Sequence, residues 1–256
     1  MAIPEHVVRF WRALDALVAL VRPTSWGAVV TDPRSPVIWD TNYARVDRAV
    51  PVGVDEVERD LLPALHDAGA TVEHVLTFHH EIHASLLAEL SGRGHRIGWD
   101  LVLDLPGSPA AIEAAAVEEL EPGEELWSRF AASLALFGVD PPEAVAQLLA
   151  LELDVLAPGG KRWFGVRGER GQIAALGALL VLDGVGYVDN VATFPQARGR
   201  GYATSITAEI ASQARLAGAG RTILLADPDD GPVVRMYERL GFRRVGLLAS
   251  TRGPLP

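Results

Sequence analysis

Cysteine is absent from all 256 residues. That excludes a disulfide framework, a thiolate nucleophile and a cysteine-ligated zinc site. Basic side chains are in the minority, with 23 Lys and Arg against 33 Asp and Glu, a net charge of −10. Such a chain lacks the basic footprint that nucleic acid requires, so we expect no nucleic-acid partner. The charge balance suits a protein acting on small molecules, cationic ones included. Long apolar runs are also missing. The most apolar stretch near the start, residues 7–21, is interrupted by Arg9, Arg12 and Asp15. Its apolar residues recur at helical spacing, which predicts an amphipathic helix rather than a signal peptide or a membrane span. We therefore expect no membrane partner and a cytoplasmic location. What is present is ordinary globular composition, 49% hydrophobic and 22% charged, far from disordered or collagen-like chains. The length suits one large domain or two small ones.

The patterning predicts a mixed α/β chain. In the first half, residues 25–30 and 37–46 read as extended. Val54, Val57, Leu61 and Leu65 mark a helix that stops near Gly69, and residues 72–78 read as a strand. A helix through Ile82, Leu86, Leu87 and Leu90 and a strand over 97–105 follow, before a Pro- and Gly-rich linker at 105–109. The second half opens with a strand at 112–117 and two helices, striped by Trp127, Phe130, Leu134 and Phe137 and then by Val145, Leu148, Leu149 and Leu153. Three strands come next (162–167, 173–182 and 186–193), with Asp183-Gly184 as a hairpin turn. The chain closes with a helix at 202–217, a strand at 222–226, a helix at 233–240 and a strand at 242–248, ahead of a short tail containing two prolines.

A faint repeat links the halves. Gly69 and Gly92 have the same spacing as Gly218 and Gly241, and the pairs are offset by 149 residues. At that offset Trp26-Gly27-Ala28-Val29 falls on the strand at 175–178, Trp39-Asp40 falls on Val188-Asp189, and the order of elements agrees. This predicts a tandem duplication, with domains at 1–106 and 107–256.

The stretch from Val191 to Ala203 carries the chemistry. A strand leads through Pro195 into Arg198-Gly199-Arg200-Gly201 and then a helix beginning Tyr202-Ala203-Thr204. First-turn helix amides lack intrahelical acceptors and the helix dipole adds positive charge, so such a turn suits a diphosphate. Gly199 and Gly201 let a phosphate approach the backbone, and Arg198 and Arg200 supply charge. The third glycine of a dinucleotide fingerprint is missing.

Arg198-Gly199-Arg200-Gly201-Tyr202-Ala203 resembles the Gln/Arg-x-x-Gly-x-Gly/Ala acetyl-CoA motif of the GNAT N-acetyltransferase superfamily. About forty residues on, Tyr237-Glu238-Arg239-Leu240-Gly241-Phe242 is similar to that family's Leu-Tyr-x-x-x-Gly-Phe motif. The resemblance covers roughly residues 110–256. It implies a GNAT fold in the C-terminal half and a truncated, degenerate GNAT-like first half. It also implies acetyl-CoA as co-substrate, no metal, and roles residue by residue. Val191, Ala192 and Thr193 would lie on a strand splayed from its neighbour and pair with the pantetheine arm. Amides from Gly199 to Thr204, including those of Tyr202 and Ala203, would hold the pyrophosphate. Tyr237 would protonate the leaving thiolate, a task suited to a phenol with a pKa of about 10. Where some members carry a glutamate base, this chain has Tyr187. Asp189, expected to share a face with Tyr187 and Val191, is either a base acting through water or a hydrogen-bonded structural aspartate. Asp227, Asp229 and Asp230 either line the acceptor side or are turn and helix-cap residues, and their neighbours Pro228 and Gly231-Pro232 favour the turn and cap reading.

His79-His80-Glu81-Ile82-His83 is not His-Glu-x-x-His and reads as a solvated helix start. At the 149-residue offset the glycine–arginine motif falls on Ala49-Val50-Pro51-Val52 and Tyr237 falls on Ala88. The first half has no such motif, and it also lacks recognisable early strands and a helix pair. The expected function is acetyl transfer to a small-molecule or peptide amine by direct attack in a ternary complex. The alternative is a non-catalytic acyl-CoA-binding or regulatory module. A homodimer is compatible with either.

Overall fold

The computed structural model describes residues 3–255. They form two compact units. One contains the residues up to Val102 together with those from Val245 on; the other runs from Leu103 to Arg244. A cut at 106/107 assigns everything beyond it to the second half. The C-terminal strand instead belongs to the first unit, because its hydrogen-bonding partner is there.

The first unit begins with α1 (Glu5–Val18), the amphipathic helix expected from its spacing. It continues with β1 (Leu20–Pro23), β2 (Gly27–Thr31), β3 (Tyr43–Val46), α2 (Val54–Ala68), β4 (Val72–Thr77) and α3 (Ala84–Gly92). Most of β5 (Arg96–Leu105) and of β11 (Arg243–Pro254) completes it. The strand order is β1-β2-β3-β4-β11-β5. β1/β2 and β2/β3 are antiparallel, β3/β4 is parallel and β4/β11 is antiparallel. On α2, Val54, Val57, Leu61 and Leu65 form one buried stripe against Trp26 and Val75. Gly69 ends that helix at φ 70°, a conformation glycine adopts without a Cβ penalty.

Three expectations for this unit need correction. Of residues 37–46, only Tyr43–Val46 is strand, and Trp39–Thr41 form a 3₁₀ turn. The buried Asn42 amide organises that turn, donating to the Ser35 and Ile38 carbonyls at 2.9 Å and accepting from the Asp32 amide. The early strand thought to be missing exists as β1, whose sequence reads as the tail of α1. The supposed solvated histidines include His83, which is buried.

The second unit contains β6 (Glu118–Leu120), α4 (Glu124–Leu134), α5 (Pro142–Leu151), β7 (Arg162–Arg167), β8 (Ile173–Leu182) and β9 (Val185–Thr193). After these come α6 (Tyr202–Leu216), β10 (Arg221–Ala226) and α7 (Gly231–Arg239). Its strand order is β10-β9-β8-β7-β6. Residues 112–117, expected as a strand, have no regular structure. The segment around them is tied down by Ala110 N–H to the Leu240 carbonyl and Ala115 N–H to Ser205 Oγ, both 3.0 Å. Asp183 (φ 48°) and Gly184 (φ 73°) make the β8–β9 turn, both left-handed as a two-residue hairpin requires. One apolar core, including Phe130, Trp163, Leu176 and Phe194, fills the α4 face of the sheet. On the other face, Ile206 and Ile210 of α6 come so close to Gly177 that a Cβ there would clash.

The repeat is visible in the pairing. β7/β8 and β8/β9 are antiparallel and β9/β10 is parallel, the same sequence of pairings as β1 to β4. Adding 149 to Val72–Thr77 gives 221–226, the bounds of β10, and adding it to Val54–Ala68 gives 203–217, one residue from α6. The final strand is longer than expected: β11 runs through the proline-containing tail, in register from Ala249↔Thr77 to Pro254↔Val72. Pro256, also in that tail, lies outside the described residues. Among the described residues no helix is long and apolar enough to cross a membrane.

Candidate active site

β9 and β10 start as a parallel pair, with Arg221↔Val185, Thr222↔Gly186 and Ile223↔Tyr187. The register ends there. Residues 188–193 of β9 and 224–226 of β10 diverge, so one edge of β9 is left without a strand partner over the segment holding Val191, Ala192 and Thr193. On its other edge β9 stays paired with β8, through Leu176↔Ala192 and Ala175↔Thr193.

A bulge accompanies the divergence. Ala178 pairs with Asp189 and Leu176 with Ala192, so two residues, Asn190 and Val191, oppose Gly177. Asn190 has φ 51°, a conformation that asparagine tolerates better than most residues. The extra residue breaks the two-residue alternation. Asp189 therefore faces α4, opposite Ala178, whereas Val191 turns to the α6 face against Gly177. The expectation that Asp189 and Val191 share a face is thus corrected.

Asp189 is held on both oxygens. Oδ1 accepts from the Asn190 amide at 2.9 Å. Oδ2 accepts from Lys161 Nζ at 2.7 Å and Asn190 Nδ2 at 3.0 Å. Lys161 is buried and also donates to Glu152 at 2.5 Å. Glu152 lies in a π-helical turn that follows α5. Burial opposes the charge on Lys161, but Asp189 and Glu152 outweigh it and raise its pKa above the ordinary lysine value. Neither Lys161, Glu152 nor Asn190 was singled out by sequence; the Asp-Asn pair within a strand run was the one available signal for a bulge.

Beyond β9 the chain makes a 3₁₀ turn at Pro195–Ala197 and enters the glycine–arginine loop. Gly199 and Gly201 both have φ 76°, and a Cβ on either would meet open space. Their glycines are thus required by backbone conformation and not by packing. Gly201 is the N-cap of α6 and no side chain caps the helix. The helical ladder starts with Ser205 N–H to the Gly201 carbonyl, so the amides of Tyr202, Ala203 and Thr204 have no intrahelical acceptor. Arg198 Nε donates to the Thr193 carbonyl at 3.3 Å, and Arg200 pairs with Glu169 at 3.0 Å. The Thr193 hydroxyl is enclosed without a partner.

Tyr237 lies on α7, nearly buried, with its ring edge-on to Phe242 at 6.0 Å. Its hydroxyl makes no hydrogen bond among the described residues. Burial, reinforced by the Asp230 charge, pushes its pKa up to about 12. Asp230 caps α7, accepting from the Val233 amide, and Asp227 accepts from the Asp229 amide. These are the turn and cap roles expected for them.

The equivalent place in the first unit is closed. β3 and β4 pair through Ala44↔Val75, Arg45↔Leu76 and Val46↔Thr77, positions that at the 149-residue offset match the parted residues 224–226. Phe78 N–H extends the contact to the Val46 carbonyl. His83 bonds to Thr77 Oγ1 and lies 3.0 Å from the Val50 carbonyl, and His79 Nε2 lies 3.2 Å from the Asp47 carbonyl. Imidazoles thus engage backbone acceptors of the loop that follows β3. Among the described residues no group of three potential metal ligands is present.

Residues 124–242 match the model of the acetyltransferase (GNAT) family. A mycothiol acetyltransferase from Streptomyces bingchenggensis (strain BCW-1) is 32% identical over 167 residues, covering 62% of this chain and 52% of that protein. The chain thus spans about half the length of this curated relative. A GCN5-related N-acetyltransferase from Kribbella flavida has the same fold over 96% of this chain and 95% of its own, at a TM-score of 0.63 and 21% identity. A functionally unknown conserved protein from Staphylococcus epidermidis ATCC 12228 matches 94% of this chain and 96% of its own, at a TM-score of 0.68 and 13% identity. Motif, parted strands and family match coincide in the second unit, where residues 124–242 are similar to the acetyltransferase (GNAT) family.

Proposed function

We propose that the second unit transfers an acetyl group from acetyl-CoA to an amine. The observation that carries this reading is the gap between β9 and β10 opening beside the Gly199–Gly201 loop. An extended amide-bearing arm hydrogen-bonds to a free strand edge as another strand would. A diphosphate accepts from the unpaired amides at the start of α6. The thioester then lies at the bulge. The amine nitrogen attacks the thioester carbonyl, the C–S bond breaks, and Tyr237 donates its phenolic proton to the leaving thiolate. No cysteine exists to carry an acyl intermediate, so the amine attacks directly in a ternary complex.

Asp189, committed to Lys161 and Asn190, serves as a positioning residue that fixes the bulge. The proton released by the amine leaves through water. Mass-spectrometric screening of amines and peptides with acetyl-CoA tests this function. The likeness to a mycothiol acetyltransferase puts acceptors of that type first. The expected result is an acceptor gaining one acetyl group with release of CoA. A protein that binds acetyl-CoA but acetylates no amine across a broad panel is a binding module instead.

A further inference from the structure

The segment between β5 and β6 carries a sequence at odds with its conformation. Ser108-Pro109 is a helix-start signal, with serine at the N-cap and proline at the first helical position. Five alanines follow within the next seven residues, and alanine is the strongest helix former. Yet residues 108–117 have no regular structure. Local preference and tertiary structure disagree here, so contacts elsewhere in the fold set the path of the segment.

Two tethers supply those contacts. Ala110 N–H donates to the Leu240 carbonyl and Ala115 N–H to Ser205 Oγ, both at 3.0 Å. Leu240 ends α7 and lies one turn beyond Tyr237, to whose carbonyl its own amide donates at 3.0 Å. Ser205 lies in the first turn of α6, and its buried hydroxyl also donates to the Gly201 carbonyl at 3.3 Å. At the base of the segment, Leu105 packs so closely on Gly241 that a Cβ there would meet it at 3.2 Å. α6 follows β9 and α7 follows β10. The segment therefore bridges the two helices that continue the parted strands. The five residues from one tether to the other reach at most about 18 Å, which limits how far Ser205 and Leu240 can separate.

We propose that residues 108–117 are a brace across the β9–β10 gap and that Ser205 is the positioning residue through which it acts. The proposal rests on the acetyl-transfer reading above. The brace fixes α6, whose first amides are assigned to the diphosphate, relative to α7, which carries Tyr237. It thereby sets where the phenol stands relative to the thioester sulfur. Ser205 acts through the brace and not on the reacting atoms.

The test removes one hydrogen bond from either side in the full chain. Ser205→Ala deletes the acceptor, and Ala115→Pro deletes the donor. Turnover of acetyl-CoA is read with the acceptor that the amine screen identifies, and CoA affinity by calorimetry. Each variant is expected to lower kcat about ten- to a hundredfold, the scale of a reacting group displaced by about 1 Å, while CoA affinity changes less than about threefold. The double variant is expected to be no worse than either single one, because both remove the same contact. Hydrogen exchange over residues 110–117 is expected to be faster in Ser205→Ala than in the wild type. If Ser205→Ala does not fold, Ala115→Pro decides, since it alters only the surface segment. Unchanged kcat in a folded variant overturns the proposal and leaves the acetyl-transfer reading intact. So do losses that multiply in the double variant, and so does unchanged exchange in Ser205→Ala. A wild type that acetylates no amine overturns the acetyl-transfer reading, and the positioning role with it.

Discussion

Tyr237 combines three properties that bear on proton transfer: a buried ring, a hydroxyl without a partner among the described residues, and a pKa pushed up to about 12. Tyr237→Phe keeps the ring contact with Phe242 and removes one proton donor. Turnover with the true acceptor is expected to fall about 10²–10⁴-fold while CoA affinity is unchanged, measured by steady-state kinetics and calorimetry. The pH dependence follows from the sign of the shift. A general acid acts while protonated, and a raised pKa extends that state upward. Wild-type turnover should therefore show no alkaline decline from Tyr237 below about pH 11. A decline near pH 10 that disappears in the Phe variant would mean that the phenol titrates as if in water. Gly201 is the second residue whose chemistry is local. At φ 76° a non-glycine residue costs about 1–2 kcal/mol, and a β-branched one more. Gly201→Val should weaken CoA binding well over tenfold in a folded protein, and Gly201→Asn should weaken it less. Unchanged affinity in folded Gly201→Val would remove the loop from the binding site.

At the scale of elements, the bulge on β9 is the feature that turns a strand into a site. It depends on contacts from two other elements: Lys161, just before β7, and Glu152, in the turn after α5. Removing the lysine leaves two carboxylates facing each other with no cation between them. Breaking such a buried pair costs about 3–5 kcal/mol. Lys161→Met is expected to lose that much stability in urea denaturation. A loss below about 1 kcal/mol would show that the cluster contributes little to holding the bulge. This cluster was illegible in the sequence for a plain reason. Glu152, Lys161 and Asp189 are spread over nearly forty positions with no regular spacing, and only the folded sheet brings them together. Asp189 itself was found, but its orientation was not. Alternation predicts a shared face with Val191, and one inserted residue reverses that.

Across the whole molecule the two units share one order of strand pairings and differ at one point. In the second unit the parallel pair separates after Ile223↔Tyr187. In the first, the matching pair is joined through Val46↔Thr77, and His79 and His83 engage the loop beyond it. We expect one CoA site per chain, in the second unit. Titration calorimetry reading two equivalent sites would contradict that. Loss of the loop glycines alone does not close a groove; the continued hydrogen-bond ladder does.

Much was determined by local sequence: helix stripes such as Val54, Val57, Leu61 and Leu65, the Asp183-Gly184 hairpin, the glycine–arginine loop and the offset of 149 residues. These signals are short-range, because each depends on side-chain periodicity or on backbone conformations that glycine, asparagine and aspartate adopt more readily than other residues. The tertiary structure decided the rest. Whether β9 and β10 part, which face Asp189 takes, that His83 is buried, and that the last strand belongs to the first unit all depend on partners far along the chain. Strand pairing is a contest between edges, and a sequence read one window at a time does not contain the competitor. The proline-containing tail after Leu248 shows this well. Locally it reads as a frayed end, yet residues from Ala249 to Pro254 lie in register with β4, because that edge was available and burial of the pair outweighs the poor local propensity.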